Sequence, residues 1–212
     1  MMLSLSLYGF VVLALLIAEL REDRRAQFFF KPLAAFGFVL LAVQFGALET
    51  VYGKYILAGL LACALGDVLL LSRKSEKLFM GGMAAFALGH IIYSFGFMAY
   101  GLDFDAMVGD THILRQTPMV VITCLLGAIY IIPRAVKDMK LPIIIYTVII
   151  TTMCVLACLT NYRLALGGAF LFAVSDFFVG MDRFIDPKKY WALAITPLYF
   201  GAQALFALST AI

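Results

Sequence analysis

Apolar positions in this chain fall into long runs separated by short polar connections. Spanning the hydrocarbon of a bilayer takes about 20 mostly apolar residues, with roughly 17–25 tolerated. Eight runs approach that length: Leu3–Leu20, Pro32–Leu48, Tyr55–Leu71, Leu78–Tyr100, Gln116–Ile132, Leu141–Leu159, Leu164–Met181 and Tyr190–Ile212. The pattern predicts an all-α integral membrane protein with eight transmembrane helices in one domain covering residues 1–212. The first run has no basic stretch before it, and its charges follow it. It therefore reads as an uncleaved helix rather than a signal peptide.

The basic residues give the predicted helices a direction. Arg21, Arg24, Arg25 and Lys31 follow the first run, and Arg73, Lys74 and Lys77 follow the third. Arg134, Lys137 and Lys140 follow the fifth, and Arg183, Lys188 and Lys189 follow the seventh. Only Lys54, Arg115 and Arg163 lie on even connections, so thirteen of the 16 Lys and Arg mark the odd ones. The positive-inside rule places the odd connections in the cytoplasm and both termini on the other side. The alternation holds at every connection, so it supports the count of eight as well as the orientation.

A weak internal repeat accompanies this topology. Gly66-Asp67 and Ser175-Asp176 lie 109 positions apart, and Lys31-Pro32 corresponds to Lys140-Leu141-Pro142 at nearly the same offset. Two halves, about 1–105 and 106–212, each with four helices, would share one topology. They would be related by an axis along the membrane normal, which is a parallel 4+4 repeat.

Composition agrees with a lipid solvent. The chain is 64% apolar and 14% charged, against about 45–50% and about 25% in soluble domains. Its mean hydropathy is +1.02. The net charge of +3 is scattered among apolar runs, without the continuous basic face of a nucleic-acid binder. Cys63, Cys124, Cys154 and Cys158 lie within apolar runs, have no CxxC spacing and read as small buried residues. The two histidines, His90 and His112, form no HExxH, so no metal is expected. No P-loop or GxSxG elbow is present.

Ionisable groups inside a bilayer are costly and become candidates for function by default. Three remain once helix ends are set aside: Asp67, His90 and Asp176. Each aspartate is expected about five residues from the cytoplasmic end of its helix, so the two carboxyls would share one depth. Two carboxyls in one low-dielectric cavity resist ionising together. One protonated acid beside one carboxylate is the arrangement that acid/base hydrolysis uses. Structural hydrogen bonding within the bundle explains the pair equally well at this point. His90 and Tyr93 lie one turn apart, as do Tyr199 and Gln203; in a bundle such residues are commonly helix–helix hydrogen bonders. Lys31 is expected to open the second helix, as a cytoplasmic anchor or a phosphate contact.

These residues occur in an order that resembles the YhhN-like membrane proteins, which include the animal lysoplasmalogenases. Lys31-Pro32 resembles the family's start of helix two, and Ala64-Leu65-Gly66-Asp67-Val68-Leu69-Leu70 its Gly-Asp motif. Phe86-Ala87-Leu88-Gly89-His90-Ile91-Ile92-Tyr93 resembles its Phe-x3-His-x2-Tyr segment. The stretch from Gly168 to Ser175-Asp176 is the most specific, followed by Arg183-Phe184, Tyr199 and Ala202-Gln203; Pro142 with Tyr146 also fits. The resemblance runs from about Lys31 to Ser209. It implies an eight-helix enzyme that hydrolyses the vinyl ether bond of a lysoplasmalogen to a fatty aldehyde and a glycerophospho-ethanolamine or -choline. It implies Asp67 and Asp176 as the catalytic pair, and no metal or other cofactor. Lys31, His90, Tyr93, Tyr146, Ser175, Tyr199 and Gln203 are the expected substrate-binding set, with the tail near Phe86 or Phe170. The partners expected are a lysophospholipid with a vinyl ether chain and membrane lipid, with no nucleic acid. The compact chain, without an ER-retention signal, reads as a protein of the bacterial plasma membrane whose site opens to the cytoplasm.

Two other functions fit parts of the pattern. Intramembrane aspartyl proteases also use two helix-borne aspartates, but here Ala64 stands where a GxGD motif needs Gly, and Ser175 rather than Tyr precedes the second Asp. A small proton-coupled transporter or flippase would suit a repeat with buried carboxyls, yet the two halves show no matching mid-helix breaks.

Overall fold

The computed structural model describes residues 2–72, 75–104, 124–125 and 127–212. Seven helices in it are long and apolar enough to cross a membrane. They are α1 (Met2–Leu20), α2 (Arg24–Gln44), α3 (Val51–Leu70), α4 (Glu76–Tyr100), α5 (Lys137–Leu159), α6 (Arg163–Phe184) and α7 (Ala192–Leu208), the last reaching spanning length together with the 3-10 turn Lys189–Trp191 that leads into it. No strand occurs among the described residues. Most of the predicted fifth run, with Arg115 and His112 before or within it, lies outside the described residues, as do Arg73 and Lys74. Of that run, residues 127–131 are helical and lead into a short 3-10 turn, Ile132–Arg134.

The starts of α2, α3 and α4 are set by capping side chains rather than by the first apolar residue. Asp23 accepts from the backbone N–H groups of Arg25 and Ala26 at 3.0 and 3.1 Å. Thr50 accepts from Gly53 at 2.9 Å, and Ser75 from Leu78 at 3.3 Å. These caps satisfy N–H groups that a helix start would otherwise leave unpaired. The cap at Asp23 corrects one expectation. Lys31 does not open the second helix; it lies two turns inside α2, with Pro32 also inside. Likewise Lys140 and Pro142 lie within α5, which starts at Lys137.

The outside of the bundle is apolar: Leu3, Phe10, Leu61, Leu65, Val148 and Leu193 are all exposed. In water such a surface would be costly, and in lipid it is the expected one. Inside, α7 packs against α1, α2, α3 and α6. The α3–α4 seam is the most extensive and depends on glycine. A Cβ on Gly59 would fall 2.4 Å from the Tyr93 ring, and one on Gly66 2.8 Å from the Phe86 ring. Small residues at these points let the two backbones approach closely, with aromatic rings of α4 laid across α3.

The polar ends of the helices sort to two ends of the bundle. Glu19 and Glu22, Arg24, Ser72, Asp182 and Lys188 surround one cavity at one end. At the other end, Tyr52 and Ser209 share a hydrogen bond of 2.6 Å, and the rings of Tyr100 and Tyr162 stack at 5.1 Å. There too, the Asp103 N–H donates to the Leu159 carbonyl at 2.8 Å, which sets the end of α4 beside the end of α5.

Candidate active site

Asp67 is three residues from the end of α3, and Asp176 is eight residues from the end of α6. At 1.5 Å per residue they are not equally far from their helix ends, as the sequence pattern had suggested, because α6 runs on past Met181 to Phe184. They nevertheless line the same cavity, which has about 1060 Å³ of empty space.

Asp67 is almost fully buried and its two oxygens have different partners. Tyr199 Oη donates to Oδ2 at 2.6 Å, and Lys31 Nζ lies 3.5 Å from Oδ1. Behind Tyr199 the chain of bonds continues: Gln203 Nε2 donates to Tyr199 Oη at 3.1 Å, and Tyr93 Oη donates to Gln203 Oε1 at 2.8 Å. Tyr199 is also wedged edge-on between the rings of Phe86 and Phe172, with centroids at 5.7 and 5.4 Å. Packing and hydrogen bonding together fix the Tyr199 hydroxyl, and through it the Asp67 carboxyl.

Asp176 belongs to a second network. Tyr146 Oη donates to Oδ2 at 2.5 Å, and His90 Nε2 lies 3.0 Å from Tyr146 Oη and 4.0 Å from Asp176 Oδ2. His90 is fully buried, and its Nδ1 has no hydrogen-bond partner. The Asp176 side chain is 21% exposed, against 2% for Asp67. Thus α5, α4 and α6 hold one carboxyl, and α2, α7 and α3 hold the other.

Of the nine candidate residues, Lys31, Asp67, Tyr146, Ser175, Asp176 and Tyr199 line the cavity. His90, Tyr93 and Gln203 do not; they stand behind Tyr146 and Tyr199. The Ser175 hydroxyl donates to the Ile195 carbonyl at 3.5 Å and ties α6 to α7. Phe86 lines the cavity, whereas Phe170 is 37% exposed on the outside and does not. The rest of the lining is largely apolar and includes Met83, Ile143, Ile150 and Phe177. Among the described residues no cluster of His, Cys, Asp and Glu is placed to hold a metal ion.

A second cavity, of about 1430 Å³ of empty space, shares Lys31, Leu70, Phe79, Val179 and Ile195 with the first. Its walls are charged: Arg24, Arg183, Lys188 and Lys189 face Glu19, Glu22 and Asp182. Arg183 sits 4.3 Å over the Phe79 ring, and Lys189 pairs with Glu22 at 3.8 Å. Glu19 accepts a short hydrogen bond from Thr196 and joins α1 to α7. Glu19 is a wall that the sequence reading missed. A single acid in the last turn of an apolar run looks like a helix end, and only the packing of α7 beside α1 turns it inward. An apolar chamber with two carboxyls and a charged chamber therefore meet at Lys31.

Comparison with known proteins agrees with the family resemblance. The model of the YhhN family matches residues 26–210. Lysoplasmalogenase TMEM86B of Homo sapiens is 31% identical over 157 residues, covering 73% of this chain and 62% of that protein. Lysoplasmalogenase TMEM86A of Bos taurus is 31% identical over 166 residues, covering 73% of this chain and 64% of that protein. The chain thus matches slightly less than two thirds of the length of these relatives. No solved structure matches it.

Proposed function

This chain belongs to the YhhN family, and from that footing we propose that it is a membrane-embedded hydrolase that cleaves the vinyl ether bond of a lysoplasmalogen. The observation that carries the proposal is the pairing of chambers. An apolar cavity holding Asp67 and Asp176 joins a charged one at Lys31, which suits a single-tailed lipid with an ionic headgroup. Relatives named lysoplasmalogenase, at about the same identity in two mammals, support the same substrate class.

A vinyl ether is hydrolysed by protonation of its β-carbon. The C–H bond forms as the double bond becomes an oxocarbenium ion, and water then adds to the carbon attached to oxygen. The resulting hemiacetal breaks its C–O bond to release a fatty aldehyde and a glycerophospho-alcohol. A carboxylic acid supplies the first proton, and a neighbouring carboxylate stabilises the cation and takes the proton of water, as in glycoside hydrolysis. Asp67 and Asp176 fill these two posts. The tail lies along Phe86, Met83 and Ile150, and the headgroup phosphate lies in the charged chamber, where Arg24, Arg183 and Lys188 can meet it. Tyr146 and Tyr199 orient the carboxyls, with His90 and Gln203 behind them.

The same proposal includes the topology. The odd connections face the cytoplasm, the termini lie on the opposite side, and an eighth span completes the bundle. Residues from the first, third and seventh connections surround one chamber, which supports a common side for them. The chain also leaves α4 at the end of the bundle where α5 finishes, so it enters α5 from the opposite end. That geometry supports the proposal of one more crossing between the two helices. The repeat of the two halves rests on the two sequence matches alone.

Purified protein in lipid nanodiscs, given a 1-alkenyl lysophospholipid, should release aldehyde in proportion to the substrate lost. Loss of that activity in both Asp67→Asn and Asp176→Asn is expected; wild-type turnover in both would exclude the paired-carboxyl mechanism.

A further inference from the structure

Resting on that reading, we infer that the two carboxyls hold different posts: Asp176 is the acid that protonates the vinyl carbon, and Asp67 is the carboxylate that takes the proton of the attacking water. The geometry distinguishes them. Asp67 has a cation, Lys31, on Oδ1 and a hydroxyl donor, Tyr199, on Oδ2. Tyr199 already accepts from Gln203 Nε2, so its one proton is directed at Asp67. Both oxygens of Asp67 are therefore met by donors, and a carboxylate satisfies them all while a protonated acid does not.

Asp176 has no Lys or Arg partner among the described residues; its one basic neighbour is His90. A charged imidazolium would bury its Nδ1–H without an acceptor, because Nδ1 is sealed and unpartnered. An unpaired buried donor is costly, so the ring is neutral and gives Asp176 no counter-charge. The direction of the bonds follows from the same atom. If Asp176 donated through Oδ2 to Tyr146, the tyrosine proton would turn to His90 Nε2 and force the ring proton onto the sealed Nδ1. The arrangement without an orphaned N–H runs the other way: His90 Nε2–H to Tyr146, and Tyr146 O–H to Oδ2. Oδ2 only accepts, so an acidic proton sits on Oδ1. That oxygen has no hydrogen bond among the described residues and belongs to a carboxyl that lines the cavity.

With these posts the cycle balances. Asp176 gives its proton to the β-carbon and becomes a carboxylate. Water adds to the oxocarbenium carbon and gives a proton to Asp67. In the collapse, the hemiacetal hydroxyl returns its proton to Asp176, and Asp67 passes its proton to the departing glycerol oxygen. One water is consumed, and both side chains end as they began. Lys31 is a positioning residue that acts through Asp67.

The test uses full-length protein in nanodiscs, with 1-alkenyl lysophosphoethanolamine in D2O. Two products are read: aldehyde, and deuterium at the β-carbon of recovered substrate. In Asp67→Asn, Asp176 can still deuterate the carbon, but water addition stalls; the Cα–Cβ bond, now single, turns, the original hydrogen leaves as a proton to the Asp176 carboxylate, and the double bond re-forms with deuterium on the β-carbon. Exchange without matching hydrolysis is expected. Asp176→Asn should show neither. Exchange in Asp176→Asn, or in neither variant, overturns the assignment. Binding of the saturated alkyl-ether analogue checks that each variant is folded. Should either Asn variant fail that check, the ratio of exchange to hydrolysis in Lys31→Met replaces it. A rise of about tenfold or more is expected from loss of the charged partner, and no rise overturns the assignment. An active wild type confines such a failure to the posts, whereas a wild type that releases no aldehyde overturns the functional reading itself.

Discussion

Lys31 Nζ lies 3.5 Å from Asp67 Oδ1, which joins the middle of α2 to the end of α3 inside the bundle. A lysine near the start of an apolar run is ordinarily an interfacial anchor. Here the cap at Asp23 extends α2 by two turns, and the side chain turns inward. Removing the charge should lower turnover more than binding. Lys31→Met is expected to reduce kcat by roughly 10- to 150-fold, the equivalent of about 1.5–3 kcal/mol for a charged hydrogen bond. KM should change little, and Lys31→Arg should recover part of the loss. Steady-state kinetics with aldehyde readout checks this; a change in KM alone would make Lys31 a headgroup contact only.

Tyr146 separates the His90 network from the cavity. Tyr146→Phe keeps the ring and removes the hydroxyl that meets both His90 Nε2 and Asp176 Oδ2. The variant should lose at least about tenfold in kcat, since one donor to a reacting group is typically worth that much or more. It should still bind the saturated alkyl-ether analogue, measurable by displacement of a fluorescent lysolipid. Unchanged kcat would leave Tyr146 no part in orienting Asp176.

The two phenylalanines proposed for the tail are told apart by the fold. Phe86 faces the cavity, and Phe170 faces outward. Phe86→Ala should raise KM for long-chain substrates and destabilise the bundle by about 3–5 kcal/mol, as for a buried ring. Phe170→Ala should leave both quantities near wild type. Comparing KM across tail lengths, with melting in detergent, checks the pair.

Orientation can be read by labelling. The four native cysteines are all buried, so single exposed cysteines report with low background. Arg25→Cys and Lys188→Cys should react with an impermeant maleimide from the cytoplasmic side only, and Lys54→Cys and Arg163→Cys from the other side only. Labelling of all four from one side would contradict the positive-inside assignment.

How much of this was readable in the sequence depends on where each signal resides. Runs such as Leu3–Leu20 and Leu164–Met181 name their helices because lipid demands unbroken apolar length. Asp67 and Asp176 were visible because an ionisable group in such a run is an anomaly. The start of α2 was not, because it is polar and set by a cap rather than by hydropathy. Nor was the distance of Asp176 from its helix end: the extension of α6 through Asp182 and Arg183 is a polar turn that a hydropathy window ends early. The partners of each carboxyl come from helices distant in sequence, as with Tyr199 on Asp67 and Tyr146 on Asp176. Those pairs depend on packing that no local pattern encodes, although the family's motif order had singled out both tyrosines.

The most direct measurement is the fate of the vinyl ether itself. Purified protein should convert a 1-alkenyl lysophospholipid to one equivalent each of fatty aldehyde and glycerophospho-alcohol, quantified by mass spectrometry, and should leave the 1-alkyl ether analogue intact. Equal consumption of both ethers, or loss of the vinyl ether substrate without aldehyde, would contradict hydrolysis by protonation of the vinyl carbon.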